Sequence, residues 1–416
     1  PSAVHAFDRS ERTVIRYVTS PDAWQWPVPT LFDALGDRAA VTVFEGRWDG
    51  PVSILTQYNL VGQAFLESIG AATLSGGDRG PVEALLKLLR GAEFPTVSLV
   101  VLSEFDTVAH FHGPDSPEAQ RALEHADGLL GEIVAALAAA PSPSEAAAGG
   151  ADGGGPSLLD ETTLLLFGDH GMVPSGTYVD LVGFFARRGQ GAVDVSTVPH
   201  VLFRERLGSL WTDWTDVILV AGGSNITQVY LKDPARGWGS DRGAGAPAHG
   251  GGPEDGAASG EAEPSGEGNE EARHRALAED LVGLEGIAQV LWIDPEGVVH
   301  VVAPGVQAAE VVARGEGADR RYAYLVADPL RPDPFGYLDE PGTRALVCPR
   351  AATEESCFHS TTAWIDASAA SSHPGAVPLL PKAFKPAQFA GDLMIAARRG
   401  YTFLRGQQGD HGNLDP

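Results

Sequence analysis

Short apolar runs separated by polar turns recur through the first half of the chain. Ala39–Glu45, Thr96–Leu102 and Thr162–Phe167 have the length and composition of buried strands. Leu60–Ile69 and Val82–Leu89 instead repeat apolar residues at a spacing typical of helices. Because strands and helices alternate, we predict an α/β fold with a largely parallel central sheet and helices on both of its faces.

The longest helical pattern extends from Pro114 to Ala140. It begins with Ser116-Pro117-Glu118, in which a capping residue precedes a proline at the first helical position. An apolar stripe follows at helical spacing, formed by Leu123, Ala126, Leu130, Ile133, Val134 and Leu137. These features predict one long helix after the second of the three apolar runs.

The middle of the chain has a different pattern. Val217–Val220 and Ile226–Leu231 predict extended segments on either side of a turn. Ile287–Ile293 and Val298–Val302 flank Asp294-Pro295-Glu296-Gly297, and this arrangement predicts a hairpin. The change of pattern indicates an insertion into the α/β domain.

We expect one α/β domain formed by residues 1–234 and 273–416, with its sheet resuming at Gly391–Ala397. A smaller α+β cap is predicted within residues 200–385. Residues 141–157 and 235–272 are rich in small and polar residues and have almost no bulky apolar side chains. Such segments cannot bury enough apolar surface to offset the loss of chain entropy, so we predict two disordered loops there.

Charge, hydropathy and cysteine content limit which partners and sites the sequence predicts. The chain has 29 Lys plus Arg against 55 Asp plus Glu and no basic cluster, so we expect no nucleic acid as a structural partner. No apolar run is long enough to span a bilayer. Cys348 and Cys357 are the only cysteines; neither has a metal-ligand spacing, and one possible pair does not establish a disulfide. The sequence predicts neither a compartment nor an oligomeric state.

Carboxylate and imidazole side chains follow two of the predicted strands. Asp106 and His110 come after Thr96–Leu102, and Asp169 and His170 come directly after Thr162–Phe167. Open α/β sheets bind ligands at the carboxyl ends of their strands. A mixture of His and Asp is typical of zinc, manganese or iron sites, whereas magnesium and calcium prefer oxygen ligands. The pattern therefore predicts a transition-metal site.

Other histidines lack this context. His112 is expected to point into solvent or to lie beside the ligands, and His359 and His373 are expected on the surface or in a substrate cleft. Structural roles are predicted for the remaining histidines, which include His125 and His274. Asp410 is interpreted as a neighbour of His411 and not as a ligand.

Three motifs in order resemble the alkaline phosphatase superfamily, in its type I phosphodiesterase/nucleotide pyrophosphatase branch. They are Asp-x-x-x-His at residues 106–110, Gly-Asp-His-Gly-Met at 168–172 and Gly-x-His-Gly-x-Leu at 409–414. Trp26–Phe32, Asp333–Tyr337 and Ala390–Leu393 are also similar to connecting segments of bacterial members. The resemblance extends over most of the chain outside the low-complexity segments.

The resemblance implies two divalent transition-metal ions, zinc first and manganese as the alternative. Asp106, His110 and His411 would hold one ion, and Asp169 and His170 would hold the other. The family completes the second site with an upstream Asp and uses an upstream Thr or Ser as nucleophile. No matching pattern precedes Trp26–Phe32, so we expect an N-terminally truncated chain without the nucleophile and with little or no activity.

The implied activity is hydrolysis of a phosphodiester or phosphate ester in a small substrate, through a covalent phospho-Thr or phospho-Ser step in the intact protein. One alternative is an enzyme similar to the cofactor-independent phosphoglycerate mutases or phosphopentomutases. The long separation of His411 from His170 disfavours it, because the mutases place these residues close together in sequence. The other alternative is a non-catalytic metal-binding homologue. A sulfatase is disfavoured because its Cys/Ser-x-Pro-x-Arg signature is missing.

Overall fold

The structure of the protein is a computed structural model. The residues that it describes are 5–9, 12–16, 39–42, 52–56, 78–90, 96–142, 155–195, 212–221, 225–234, 237–238, 267–351, 355–385 and 388–411. The chain divides into two compact units. The large unit comprises residues 1–15, 177–405 and 412–416, and the small unit comprises residues 16–176 and 406–411.

The elements are numbered in chain order. Those in the first part of the chain are β1 (His5–Asp8), β2 (Thr13–Arg16), β3 (Ala39–Thr42), β4 (Val52–Thr56), α1 (Arg79–Arg90), β5 (Val97–Val100), α2 (Glu104–His112), α3 (Pro117–Ala139) and β6 (Val173–Tyr178). Those in the second part are α4 (Leu181–Arg187), β7 (Ala192–Asp194), β8 (Val217–Ala221), β9 (Ile226–Leu231), α5 (Glu267–Leu281), β10 (Ile287–Ile293), β11 (Val299–Val302), β12 (Ala309–Arg314), β13 (Arg321–Val326), α6 (Pro341–Arg344), β14 (Val347–Pro349), β15 (His359–Ser360), α7 (Thr361–Ser368), α8 (Ala376–Ala383), β16 (Leu393–Ala397), β17 (Gly400–Thr402) and β18 (Gly409–Asp410).

A ten-stranded sheet forms the centre of the large unit. Its strand order is β14-β13-β12-β11-β10-β16-β9-β8-β7, and β15 pairs with β13. Among the described strands of this sheet, β7–β8 and β13–β14 are the parallel pairs. The other pairs are antiparallel, including the predicted hairpin of β10 and β11.

The α/β class is therefore confirmed, but a largely parallel sheet is not what the structure shows. Short connections are the physical reason. The turn Asp294–Gly297 links β10 to β11, and another short connection links β8 to β9. Connections of this length can only join antiparallel neighbours, because a parallel crossover needs a dozen or more residues.

Apolar residues alternate between the two faces of this sheet and build a core on each. On one face, Val290 of β10 packs with Phe185 of α4 and Leu281 of α5. On the other face, Leu291 of β10 packs with Trp364 of α7 and Leu380 of α8. Neighbouring residues of one strand point to opposite sides, so helices cover both faces of the sheet within this unit.

The small unit contains a parallel sheet and two packed helices. Its strand order is β4-β3-β5, and both pairs are parallel. Val82, Leu86 and Leu89 of α1 pack against Leu129 and Ile133 of α3. Arg79 of α1 donates two hydrogen bonds to Glu132 of α3, at 2.8 and 2.9 Å.

Several predicted elements are confirmed in the small unit. β3 lies within the predicted strand Ala39–Glu45, β5 within Thr96–Leu102, and α1 contains the predicted helix Val82–Leu89. The long helix α3 is also confirmed, and its Ser116 side chain accepts a hydrogen bond from the Ala119 N–H as a cap. The predicted helix Leu60–Ile69 lies outside the described residues.

The predicted strand Thr162–Phe167 is wrong. The structure assigns no strand there, and Leu165 and Phe167 are 81% and 74% exposed. An apolar segment forms a buried strand only where another strand pairs with it. Among the described strands none pairs with this run, so the Asp169-His170 pair leaves an irregular segment.

The two predicted loops fall mostly outside the described residues, and their ends are ordered. Trp238 is 1% exposed and donates its indole N–H to the Thr212 carbonyl at 2.7 Å. Its ring also packs edge-on against Phe7, 5.2 Å away. Helix α5 begins at Glu267. Of the two predicted loops, residues 143–154, 235–236 and 239–266 lie outside the described residues, and the loop prediction stays untested there.

Cys348 and Cys357 form a disulfide across nine residues of sequence. The bond closes the segment between β14 and β15, and Cys357 packs with Leu325 and Phe358. The sequence had left this pairing open. In the described part of the chain, no helix combines the length and the hydropathy that crossing a membrane would need.

Candidate metal centre

Helix α2 places Asp106 and His110 one turn apart on the same side. Its residues Val108 and Ala109 are buried against Ala119 and Ala122 of α3. Positions four apart on a helix are neighbours on its surface, so packing of one face leaves Asp106 and His110 together on another.

Backbone hydrogen bonds bring the distant C-terminal segment to this helix. The Gln408 N–H donates to the His110 carbonyl at 2.7 Å, and the Ser175 N–H donates to the Gln408 carbonyl at 2.9 Å. Strand β18 then pairs with β6, with Gly409 opposite Pro174. His411 follows directly and therefore lies beside α2.

Gly409 permits this approach because it has no side chain. A Cβ atom built at this position would lie 2.2 Å from the Ala109 carbonyl oxygen and 3.0 Å from the Met172 sulfur. No real side chain tolerates the first distance. The glycine of the third motif is thus required by the contact between β18 and α2.

One oxygen of Asp106 lies at the centre of the site. Asp106 Oδ1 is 3.6 Å from His110 Nε2 and 3.5 Å from His411 Nε2. This oxygen is shielded from solvent and accepts no hydrogen bond. Two ligands bound about 2.0–2.1 Å from a tetrahedral ion lie roughly 3.3 Å apart. The unsatisfied oxygen and its spacing to two imidazole nitrogens therefore fit a shared cation.

The tautomer of His110 also fits ligation. His110 Nδ1 lies 2.9 Å from the Gly409 carbonyl oxygen. Because a carbonyl oxygen can only accept, Nδ1 carries the proton, and Nε2, which faces Asp106, is the nitrogen through which a neutral ring would bind a metal. Histidine ligands in proteins are oriented by this kind of bond from the second ring nitrogen.

His170 joins the group, and Asp169 lies at its edge. The His170 and His411 rings stack 3.8 Å apart at 19°. One ligand atom from each of Asp106, His170 and His411 lies within 4.8 Å of the others. Asp169 is 84% exposed, and its Oδ2 is 3.3 Å from His170 Nε2. The structure thus gathers all five predicted side chains in the small unit.

Burial keeps His411 neutral. Burial is the largest of the effects that together lower the pKa of His411 from its ordinary 6.5 to about 4; His110 and His170 act in the same direction, and the charges of Asp106 and Asp169 oppose them. A neutral imidazole is the form that binds a metal.

A second group of similar composition lies in the large unit. Glu270 and His274 of α5 and the buried Asp392 also have ligand atoms within 4.8 Å of one another. Asp392 Oδ1, however, is 2.8 Å from the guanidinium of Arg9, which is itself 4% exposed. The buried cation already balances this carboxylate, so the residues fit an ion-pair network better than a metal site.

Three side chains that hold α2 in place are not among the predicted site residues. Asp78 accepts hydrogen bonds from the Ser103 and Glu104 N–H groups at 2.7 and 3.1 Å. Glu104 Oε2 is 2.9 Å from His125 Nδ1. None of these residues lies in a recognisable motif, and only the three-dimensional contacts reveal them.

His373, which was expected on the surface or in a substrate cleft, is buried in the large unit and hydrogen-bonds Gln289 at 2.8 Å.

Comparison with known families supplies the classification. Residues 56–237 match the family model described as type I phosphodiesterase / nucleotide pyrophosphatase. Over this segment, the chain is similar to the type I phosphodiesterase/nucleotide pyrophosphatase family. The match confirms the resemblance drawn from the motifs and is consistent with the alkaline phosphatase superfamily. No curated protein and no solved structure matches the chain.

The matched segment, residues 56–237, contains four of the five candidate ligands. Asp106, His110, Asp169 and His170 lie within it, whereas His411 lies beyond its end. His411, which the third motif predicted, is brought to the site by the pairing of β18 with β6. Phosphodiesterase or pyrophosphatase-type hydrolysis is the activity that the family supports in general.

Proposed function

We propose that the small unit binds two divalent transition-metal ions and that the protein is a hydrolase of phosphodiester or phosphate ester bonds in small substrates. The observation that carries the proposal is the shielded Oδ1 of Asp106, which accepts no hydrogen bond and faces two imidazole nitrogens at 3.5 and 3.6 Å. Family membership of the surrounding segment supports the type of reaction.

The proposed ligands divide into two sets. Asp106, His110 and His411 would hold one ion, and Asp169 and His170 would contribute to the second. Zinc suits this mixture of nitrogen and oxygen donors, and manganese is the alternative. A ligand atom of His170 also lies within 4.8 Å of ligand atoms of Asp106 and His411, so the two sets of ligands are adjacent.

Bound divalent ions would polarise a phosphoryl oxygen and stabilise the charge that develops on it. The side chains have separate tasks. Asp106 supplies negative charge for both histidines of its set, and the Gly409 carbonyl fixes the ring of His110. The chain has a formal net charge of −26, so an anionic ester approaches favourably only where cations offset that charge. No nucleophile is assigned among the described residues.

Metal-dependent hydrolysis of an aryl phosphodiester tests the proposal. The full chain is stripped with a chelator, reloaded with zinc or manganese, and assayed with bis(4-nitrophenyl) phosphate. We expect binding of the metal and hydrolysis that requires it, because bound divalent ions would polarise the phosphoryl oxygen. Asp169→Ala should lower this hydrolysis by at least about 10-fold.

His274→Gln is the matched control, since it changes a histidine of the second group. It should leave hydrolysis unchanged. A hydrolysis rate that is equal with and without metal would contradict the proposed hydrolase function. Equal rates in the wild-type protein and in Asp169→Ala would also contradict it. Metal binding without any hydrolysis would instead identify the non-catalytic binding protein.

A further inference from the structure

Helix α2 carries two candidate ligands but has little stability of its own. It has nine residues, and the N-cap residue Ser103, which directly precedes it, makes no capping hydrogen bond through its side chain. Isolated helices shorter than about 12–15 residues are marginal in water. The orientation of Asp106, which lies in the first turn, therefore depends on groups outside the helix.

Asp78 supplies the missing cap from another part of the chain. Its Oδ1 accepts the Ser103 N–H at 2.7 Å and the Glu104 N–H at 3.1 Å, and its Oδ2 lies 3.3 Å from the Glu104 nitrogen. The residue is 1% exposed and directly precedes α1. A carboxylate beside the first amide groups of a helix satisfies donors that have no partner inside the helix.

Glu104 and His125 fix the same turn from α3. The Glu104 side chain is 5% exposed and lies 2.9 Å from His125 Nδ1. α1 is in turn joined to α3 by the bonds between Arg79 and Glu132. The first turn of α2 is thus held by two helices that pack on each other through apolar side chains.

The other end of α2 is held independently. The Gln408 N–H donates to the His110 carbonyl, and the His110 ring bonds the Gly409 carbonyl. Contacts at the C-terminal end therefore orient His110, whereas contacts at the N-terminal end orient Asp106. This division separates the role of Asp78 from the roles of the ligands.

We propose that Asp78 is a positioning residue for the metal centre, which acts by fixing the first turn of α2 and through it the carboxylate of Asp106. The Glu104–His125 pair reinforces the same turn. The inference rests on the proposed function. Burial disfavours a charge at this position and raises the pKa of Asp78, so its backbone hydrogen bonds are what compensate for placing a carboxylate there.

Metal affinity in three variants of the full chain tests this role. Asp78→Ala removes both acceptors, whereas Asp78→Asn keeps one carbonyl oxygen for the Ser103 N–H. Asp180→Ala is the matched control, because Asp180 caps α4 of the large unit by accepting the Gly183 N–H at 2.9 Å. Zinc affinity is measured by competition with a chelator, and the d–d absorption of bound Co²⁺ reports the ligand geometry.

We expect Asp78→Ala to weaken zinc binding by about 10–100-fold, the range found when groups that orient metal ligands are removed. Asp78→Asn should lie between this variant and the wild-type protein. Both should change the Co²⁺ spectrum. Asp180→Ala should leave affinity and spectrum unchanged although it removes a cap of the same kind.

Equal affinity and an unchanged Co²⁺ spectrum in the wild-type protein and the Asp78 variants would overturn the role. If Asp78→Ala does not fold, Asp78→Asn decides by the same two readouts. A wild-type chain that binds no metal would instead contradict the proposed function, so the two failures are distinguishable.

Discussion

Two groups of Asp, Glu and His side chains in this molecule have similar composition and opposite surroundings. In the small unit, Asp106, His170 and His411 have ligand atoms within 4.8 Å, and in the large unit Glu270, His274 and Asp392 do so. Asp392 is fully buried and faces the guanidinium of Arg9 at 2.8 Å. The side chain of Asp106 is 41% exposed, and its ion-pair partners in the described part of the chain are histidines.

The difference shows that ligand chemistry alone does not define a metal centre. A buried arginine balances the carboxylate of the second group permanently, and a dication beside it would be repelled. The neutral His411 leaves the charge of Asp106 available for a cation. The presence or absence of a fixed positive charge therefore separates a structural network from a candidate metal centre.

The largest effect on stability is expected in the large unit. Arg9→Met leaves the buried Asp392 carboxylate without its guanidinium and should destabilise the protein by about 3–5 kcal/mol. Denaturant-induced unfolding measures this change. Asp106→Asn, measured without metal, is the control and should change stability by less than about 0.5 kcal/mol. A loss below about 1 kcal/mol for Arg9→Met would show that the two groups do not differ as described.

A smaller effect is expected from Gly409→Ala. The added Cβ would lie 2.2 Å from the Ala109 carbonyl oxygen, so β18 must move away from α2, at a cost of about 1–3 kcal/mol of stability. Zinc affinity should fall as well, because His411 follows on the displaced strand. Gly171→Ala is the control, since a Cβ there meets nothing within 4 Å. Equal unfolding midpoints and zinc affinities in the two variants would contradict the close contact.

His359 belongs to neither group, and the charged group that acts on its pKa is an arginine, Arg321. Burial, and then the charge of Arg321, lower the pKa of His359 from its ordinary 6.5. The folded state therefore binds fewer protons than the unfolded state, and the contribution to stability present above pH 6.5 is lost as pH falls through the folded pKa. NMR titration should give a midpoint below 6.5, which Arg321→Gln raises only partly. A midpoint at or above 6.5 would contradict this.

Local patterns predicted helices better than sheets. The cap and the proline at the start of α3 act within one turn, so residues close together in sequence determine where this helix begins. Thr162–Phe167 has a strand composition but no paired strand among the described residues, and pairing depends on distant segments. The prediction of a largely parallel sheet was wrong for the ten-stranded sheet, because short connections such as Asp294–Gly297 join antiparallel neighbours there.

The candidate ligands could be selected from sequence because their spacing and order are local. The residues that surround these ligands could not be selected in this way. Asp78 reaches the start of α2 across 25 residues of sequence, and no pattern marks it. Trp238 lies in a segment of low-complexity composition, yet its contacts with Phe7 and Thr212 bury it.

Zinc binding to the chelator-stripped full chain, measured by calorimetry, tests the central claim most directly. The wild-type protein should bind zinc, and Asp106→Ala should weaken that binding by at least about 100-fold, beyond the loss found for groups that only orient ligands. His274→Gln should change the affinity by less than about 2-fold, because Arg9 already balances its group. The opposite result, in which His274→Gln weakens binding and Asp106→Ala does not, would contradict the assignment of the metal centre to the small unit.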